Sequence, residues 1–270
     1  MELISLFFLT ILGVIVGCFG TLIGIGGGFI IVPLLILIYG FEPKFAVGTS
    51  LTIVFLNALS GAFAYIRQRR VDFKIGVFFA LLTIPGAILG AYIVNFFSSN
   101  LFKGVFSLIL ILASFKLIIS KPVKEKYCNL KKTGSVYRRI IDYNGNVYEY
   151  SISLTKGLLI NFFIGFISSI FGVGGGIIHV PAMILLLGFP VHIATATSLF
   201  ISIFTSITGA LTHISLSNVK FNFAIFMGVG TIIGAQFGAL ISQKIEGTFI
   251  KKLLGLALLT LAIRLLLEVF

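Results

Sequence analysis

Acidic residues are scarce in this chain: 8 Asp and Glu stand against 20 Lys and Arg in 270 residues. All of them (Glu2, Glu42, Asp72, Glu125, Asp142, Glu149, Glu246 and Glu268) fall in loops or at the ends of apolar runs. No carboxylate is left in mid-run to hold a cation or relay a proton at membrane depth. Charged residues of both signs make up only 10% of the chain, where a soluble domain carries about 25%. Too few polar groups remain to coat a water-facing exterior, which excludes a soluble globular protein. Cysteine is nearly absent. Cys18 lies in an apolar run and Cys128 in a polar linker, which speaks against a disulfide, and no metal-ligand spacing exists. No catalytic residue, metal or cofactor is expected, since no Ser/His/Asp or metal constellation occurs in the apolar runs. The opening Met1-Glu2-Leu3 lacks a basic stretch and a small-residue cleavage site, so the first apolar run reads as a retained helix.

What is present is apolar surface: 58% hydrophobic residues and a mean hydropathy of +1.16. The class is an all-α polytopic membrane protein whose partner is the lipid bilayer. The net charge of +12 does not signal nucleic acid, because the Lys and Arg sit in short loops between apolar runs, where they set orientation. A homo-oligomer is neither required nor excluded.

The most unusual segment occurs twice. Gly24-Ile25-Gly26-Gly27-Gly28-Phe29-Ile30-Ile31-Val32-Pro33 returns as Gly172-Val173-Gly174-Gly175-Gly176-Ile177-Ile178-His179-Val180-Pro181, 148 residues later. At the same offset Gly48-Thr49-Ser50-Leu51 falls on Ala196-Thr197-Ser198-Leu199, Gly86-Ala87 on Gly234-Ala235 and Gly90-Ala91 on Gly238-Ala239. The chain is a tandem duplication: 1–120 is a first membrane repeat, 121–153 a hydrophilic linker and 154–270 a second repeat. Each repeat reads as five segments. In the first these are Leu3–Ile23, a short Phe29–Gly40, Phe45–Ile66, Lys74–Phe97 and Leu101–Ser120. The second gives Leu154–Phe171, a short Ile177–Phe189, Ile193–Ser215, Asn222–Gln243 and Phe249–Phe270. In the linker, Asn144-Gly145 between β-favouring runs signals a small extramembrane β-hairpin.

The charges give the topology. Arg67, Arg69, Arg70 and Lys74 follow the third segment of the first repeat, and Lys121, Lys124, Lys126, Lys131, Lys132, Arg138 and Arg139 follow its fifth. In the second repeat the loop equivalent to 67–74 carries only Lys220, and the next loop holds Lys244, Lys251 and Lys252. The basic loops have exchanged places between the repeats. An odd number of crossings per repeat follows, hence two inverted repeats, with the central linker cytoplasmic and both termini outside.

Three consecutive glycines oppose a helix at about 1 kcal/mol each relative to alanine, so each cluster is expected to break one and open a half-helix aimed inward. Half-helix amino termini present unpaired N–H groups and a positive dipole end. With no carboxylate in the spans, the substrate class is a small anion. Burying one costs several kcal/mol, and each charged hydrogen bond returns about 1.5–3 kcal/mol, so about four to six donors offset the cost. The candidates are Gly26, Gly27, Gly28, Gly174, Gly175 and Gly176, with the hydroxyls of Thr49, Ser50, Thr197 and Ser198. His179, inside the second motif where the first has Ile31, is the candidate for proton coupling; the alternative is a bonded packing residue. Asn57 and Gln236 lie in mid-run and either line the path or join helices. Glycines spaced by four, such as Gly86/Gly90 and Gly230/Gly234/Gly238, suit close helix packing.

The paired glycine motifs, each followed by Ala-x-x-Thr-Ser-Leu, resemble the TauE/SafE sulfite exporter family over nearly the whole chain. The resemblance implies transport of sulfite, sulfonates or related sulfur oxyanions, commonly export across a bacterial inner membrane. His179 is not implied by it. A permease for another small anion, a membrane-embedded enzyme and a non-transporting scaffold are the competing readings, and the last requires the glycine clusters to be continuous helix.

The topology makes a direct expectation. A single cysteine placed at Asn144, in a chain lacking Cys18 and Cys128, is expected to be silent to an impermeant thiol reagent in intact cells and to react once the cells are opened. Labelling in intact cells would put the linker outside.

Overall fold

The computed structural model describes residues 3–119 and 135–267; most of the basic stretch of the linker, with Cys128, lies outside them. Ten α-helices and one β-hairpin follow in chain order among the described residues. The first half holds α1 (Leu3–Ile23), α2 (Gly28–Leu37), α3 (Pro43–Arg67), α4 (Phe73–Ile93), a 3-10 turn over Val94–Phe96 and α5 (Ser99–Ile119). The hairpin strands β1 (Ser135–Ile141) and β2 (Val147–Ser153) come next. The second half holds α6 (Leu154–Phe171), α7 (Gly176–Leu185), α8 (Val191–Ser215), α9 (Phe221–Ile241) and α10 (Gly247–Leu267). Helices α1, α3, α4, α8 and α9 are long and apolar enough to cross a membrane. The ten-residue α2 and α7 reach only about 15 Å at 1.5 Å per residue.

Local signals place the ends. Pro43 opens α3, where a missing N–H costs nothing. Asp72 caps α4, its Oδ1 accepting from Ile75 N at 3.3 Å. Lys220 stands at the equivalent position before α9 and its side chain makes no cap.

The two halves contact each other reciprocally. A Cβ on Gly234 or Gly238 of α9 would strike the backbone of α1 at Val14 or Cys18. A Cβ on the equivalent Gly86 or Gly90 of α4 would strike α6 at Phe162 or Phe166, the equivalents of Val14 and Cys18. On both pairs the contact positions rise together along the chain, so α1 runs parallel to α9 and α4 parallel to α6. When residue i of one half meets j of the other, and the partners of i and j meet in the same way, the relation is that of a two-fold interface. The other pairings obey it: α3 meets α8, α5 meets α10, and α3–α9 mirrors α8–α4. The core of aliphatic side chains runs through both halves, from Leu9 and Val16 through Val54 and Phe79 to Ile201 and Leu265.

One element breaks the symmetry. The strands pair antiparallel from Ser135–Ser153 to Ile141–Val147, and Ser153 leads directly into α6. The turn spans 142–146, with Gly145 at φ +84° as its left-handed residue. The hairpin is fastened to the α3–α4 connection. Arg138 makes two 2.7 Å bonds to Asp72, Tyr150 donates to the same carboxylate at 2.7 Å, and Tyr143 N donates to Gln68 O at 3.0 Å. Burial, and then the Asp72 charge and its hydrogen bond, push the Tyr150 phenol above its ordinary range, so it stays a donor.

Asp142 folds the turn around its own carboxylate, which accepts from Asn144 N at 3.0 Å, Asn146 N at 2.9 Å and Asn146 Nδ2 at 3.0 Å, with Arg70 Nη2 3.7 Å away. Burial alone would raise this carboxyl, but the bonds from Asn146 and Asn144 and the Arg70 charge hold it below the usual range. A depressed folded-state value stabilises above the ordinary carboxyl range and loses that contribution as pH falls through the folded value. Asp142→Asn is therefore expected to destabilise the hairpin by about 1–3 kcal/mol at neutral pH. The difference from the unmodified chain should close below pH of about 4. Hydrogen exchange of the hairpin amides at neutral and acid pH measures it, and a pH-independent difference would overturn the assignment.

Candidate functional site

Both helix breaks are built by glycine backbone. After α1 ends at Ile23, Gly24, Gly26 and Gly27 take φ of +84°, +84° and +85°, and Gly27 is the N-cap of α2. After α6 ends at Phe171, Gly172, Gly174 and Gly175 take φ of +69°, +67° and +100°, and Gly175 is the N-cap of α7. Side chains with a Cβ rarely adopt this region, so three separate positions per break require glycine.

The two breaks meet. A Cβ on Gly28 would lie 2.5 Å from Gly172 O and 2.7 Å from Val173 Cα, and one on the equivalent Gly176 would strike Ile25 Cα and lie 2.7 Å from Gly24 O. Gly24 rests on Thr195 of α8, and Gly172 on the equivalent Val47 of α3. Each break is thus wedged between the other break and the first turns of the third helix of the opposite half. Gly28 N and Gly176 N are among the terminal amides that no helix can satisfy internally, and no backbone carbonyl outside the helices accepts from them among the described residues.

The structure brings together all six named glycines and Ser50, whereas the two threonines bond loop amides. Ser50 Oγ donates to Gly172 O at 2.7 Å. Ser198, its equivalent, is fully buried and its hydroxyl has no partner among the described residues. Thr49 Oγ1 instead accepts from Lys220 N at 3.0 Å, and Thr197 Oγ1 accepts from Asp72 N at 3.0 Å. The reason is helical geometry: neighbours on a helix point about 100° apart, so the threonine of each pair faces a loop while Ser50 faces the opposite break. Of the four hydroxyls expected to converge, Ser50 bonds the opposite break and the two threonines bond loop amides.

Other polar side chains gather at the breaks. Val54 Cγ1 lies against both Gly26 and Gly174, and Asn57 Nδ2, one turn on, would lie 3.9 Å from a Cβ on Gly26. Beside the second break, Ser168 Oγ would lie 3.5 Å and His179 Nδ1 2.8 Å from a Cβ on Gly175. Asn57 Nδ2, Ser168 Oγ, Ser202 Oγ and His179 Nδ1 are all buried and without a partner among the described residues. Ser202 and Ser206 occupy the positions of Val54 and Ala58, so the lining of the second half is the more polar. The sequence signal for them was present as the i, i+4 series Ser198, Ser202, Ser206 on one apolar helix. Gln236 donates to Ser60 O at 2.9 Å and joins α9 to α3, away from the breaks.

Electrostatically the site is one-sided. The described acidic residues Glu42, Asp72, Asp142, Glu149 and Glu246 all lie outside the helices, at caps, loops or the hairpin. What faces the breaks is backbone amides, the Ser168 hydroxyl and the Asn57 amide nitrogen, donors suited to an anion, together with Nδ1 of the His179 imidazole.

A model of the family described as sulfite exporter TauE/SafE matches residues 9–265. The chain is 36% identical, over 98% of both chains, to the "Probable membrane transporter protein YunE" of Bacillus subtilis. It is 27% identical to a protein of the same description from Methanocaldococcus jannaschii, covering 92% of this chain and 90% of that one. A third such protein, from Sinorhizobium, is 28% identical over 96% of this chain and 91% of its own. No solved structure matches significantly. The duplicated glycine breaks, the apolar helices and these likenesses agree: the chain belongs to the TauE/SafE sulfite exporter family of membrane transporters.

Proposed function

We propose that this transporter carries small sulfur-containing anions, such as sulfite or organosulfonates, out of the cell by alternating access around the paired glycine breaks. The observation that carries the reading is the set of buried polar groups without partners among the described residues: Asn57 Nδ2 and Ser168 Oγ beside the breaks, and Ser198 Oγ and Ser202 Oγ on the adjoining α8. At membrane depth an unsatisfied polar group costs several kcal/mol. A protein keeps four of them in one region when a ligand completes them. The ligand is an anion because these groups and the half-helix amino termini are donors and no carboxylate lies in the described helices. Sulfur oxyanions are the class that the family description suggests.

The reciprocal contacts and the exchanged basic loops together support two inverted repeats, related by an axis in the membrane plane near the crossing of the breaks. The hairpin is fastened to the α3–α4 connection, beside Arg67, Arg69 and Arg70, which supports a cytoplasmic linker. Thr49 and Thr197 clasp loops on opposite faces, Lys220 on one and Asp72 on the other. In this reading the halves rock about the shared site while those clasps alternate.

Two sets of variants separate site from scaffold. Ser168→Ala and Ser202→Ala remove unpartnered hydroxyls. Their thermal stability is expected to hold or rise, while anion affinity falls by about 1–3 kcal/mol for each hydroxyl that bonds the anion. Thr49→Val and Thr197→Val remove an acceptor from a loop amide, so stability should fall by about 1–2 kcal/mol with affinity in the folded protein nearly unchanged. Sulfite and sulfonate titrations of purified protein, beside thermal unfolding of the same samples, measure both. Serine variants that lose stability and keep wild-type affinity would return these residues to packing and move the site elsewhere.

A further inference from the structure

The second half carries a polar pair that the first half lacks. His179, in the first turn of α7, is 1% exposed and stands where the first half has Ile31. Behind it Asn161 of α6 takes the place of Gly13 and is also 1% exposed. Asn161 Nδ2 donates to Gly157 O at 2.6 Å, which turns Oδ1 toward His179 Nε2, 2.7 Å away. A carboxamide oxygen only accepts, so His179 Nε2 must bear a proton. With the ring neutral, Nδ1 is then a lone pair. This tautomer is assigned from the bonding pattern. No described group donates to Nδ1. It faces the second break: a Cβ on Gly175 would lie 2.8 Å from it and 3.5 Å from Ser168 Oγ, itself without a partner.

A bare oxyanion offers only acceptors and would set its charge against this lone pair. Resting on the anion reading above, we propose that the site selects a singly charged anion that also carries its own hydrogen-bond donor, and that His179 Nδ1 accepts from that donor. Two kinds of ligand share this chemistry: an inorganic oxyanion that keeps a proton, and a sulfonate bearing a hydroxyl group. The charged end meets the Ser168 hydroxyl and the amides that open α7, and the donor end meets the imidazole. His179 then positions the ligand with no proton changing hands, and the Asn161 bond keeps the ring in the accepting tautomer. The first half, with Ile31 and Gly13 at these positions, cannot supply the contact, so the ligand sits in one orientation in a site whose backbone is close to symmetric.

Two charge-matched ligand pairs test this on purified protein at one neutral pH: hydrogencarbonate against nitrate, and hydroxymethanesulfonate against methanesulfonate. In each pair only the first carries an O–H donor. The donor-bearing member of at least one pair is expected to bind about tenfold more tightly, the size of one neutral hydrogen bond. A preference in the first pair alone identifies an inorganic oxyanion, and in the second alone an organosulfonate. His179→Ile installs the residue of the first half and is expected to bring the ratio near one. His179→Asn, which keeps an acceptor oxygen near the Nδ1 position, should retain part of it. Thermal unfolding and elution profile certify each variant as folded. Equal binding within both pairs, or an unchanged preference in folded His179→Ile, overturns the inference and leaves the anion site standing. If no member of either pair binds, nor sulfite, the anion site itself falls.

Discussion

Two backbones pass each other at the centre of this protein with no room for a side chain between them. Gly28 lies against Gly172 and Val173, and Gly176 lies against Gly24 and Ile25. That contact dictates why α1 and α6 must stop where they do, because continuous helices would carry side chains through each other. Left-handed φ values at the preceding glycines turn each chain back, and the short α2 and α7 start from the crossing. A branched residue at Gly28 or Gly176 would separate the breaks and uncouple the halves. The longer helices on either side lock the arrangement, with α1 on α9 and α4 on α6 through further glycines.

Breaking a helix inside an apolar environment exposes amides that only protein or ligand can satisfy. The structure meets part of this need crosswise: Ser50 of one half answers a carbonyl at the break of the other. It leaves others unmet at the second break, where Ser168 Oγ and His179 Nδ1 stand unpartnered among the described residues. Stability would favour apolar residues there, as the first half shows with Val54, Ala58 and Ile31. With Asn57 as the first half's unpartnered group and more such groups in the second, a near-symmetric backbone carries an asymmetric set of polar side chains.

The hairpin imposes the other asymmetry. Asp72 at once caps α4, holds Arg138 in a bidentate pair, accepts from Tyr150 and, through its amide, binds Thr197. The equivalent Lys220 keeps the amide bond, to Thr49, and lays its ammonium over the Phe45 ring instead of capping the helix. The loop before α4 is therefore tied to the hairpin, whereas the equivalent loop before α9 has no such fastening among the described residues.

Composition and repetition alone determined the membrane class, the duplication, the helix breaks and the hairpin, because each follows from local properties: apolar length, three glycines in succession, an Asn-Gly between strand-forming runs. The proposal of an anionic substrate rests on a property of the same local kind, the scarcity of acid. What tertiary structure decided is which neighbours share a face. Thr49 and Ser50 are adjacent in sequence yet face different elements, one a loop and one the opposite break, because a helix turns about 100° at each residue. Asn161 and His179, 18 positions apart, come together only because α6 and α7 fold back at Gly172 and Gly175. No periodicity within one half could reveal that its break would be completed by the other half. That contact depends on the rotation relating the two halves, and the packing of α1 against α9 and of α4 against α6 supplies it.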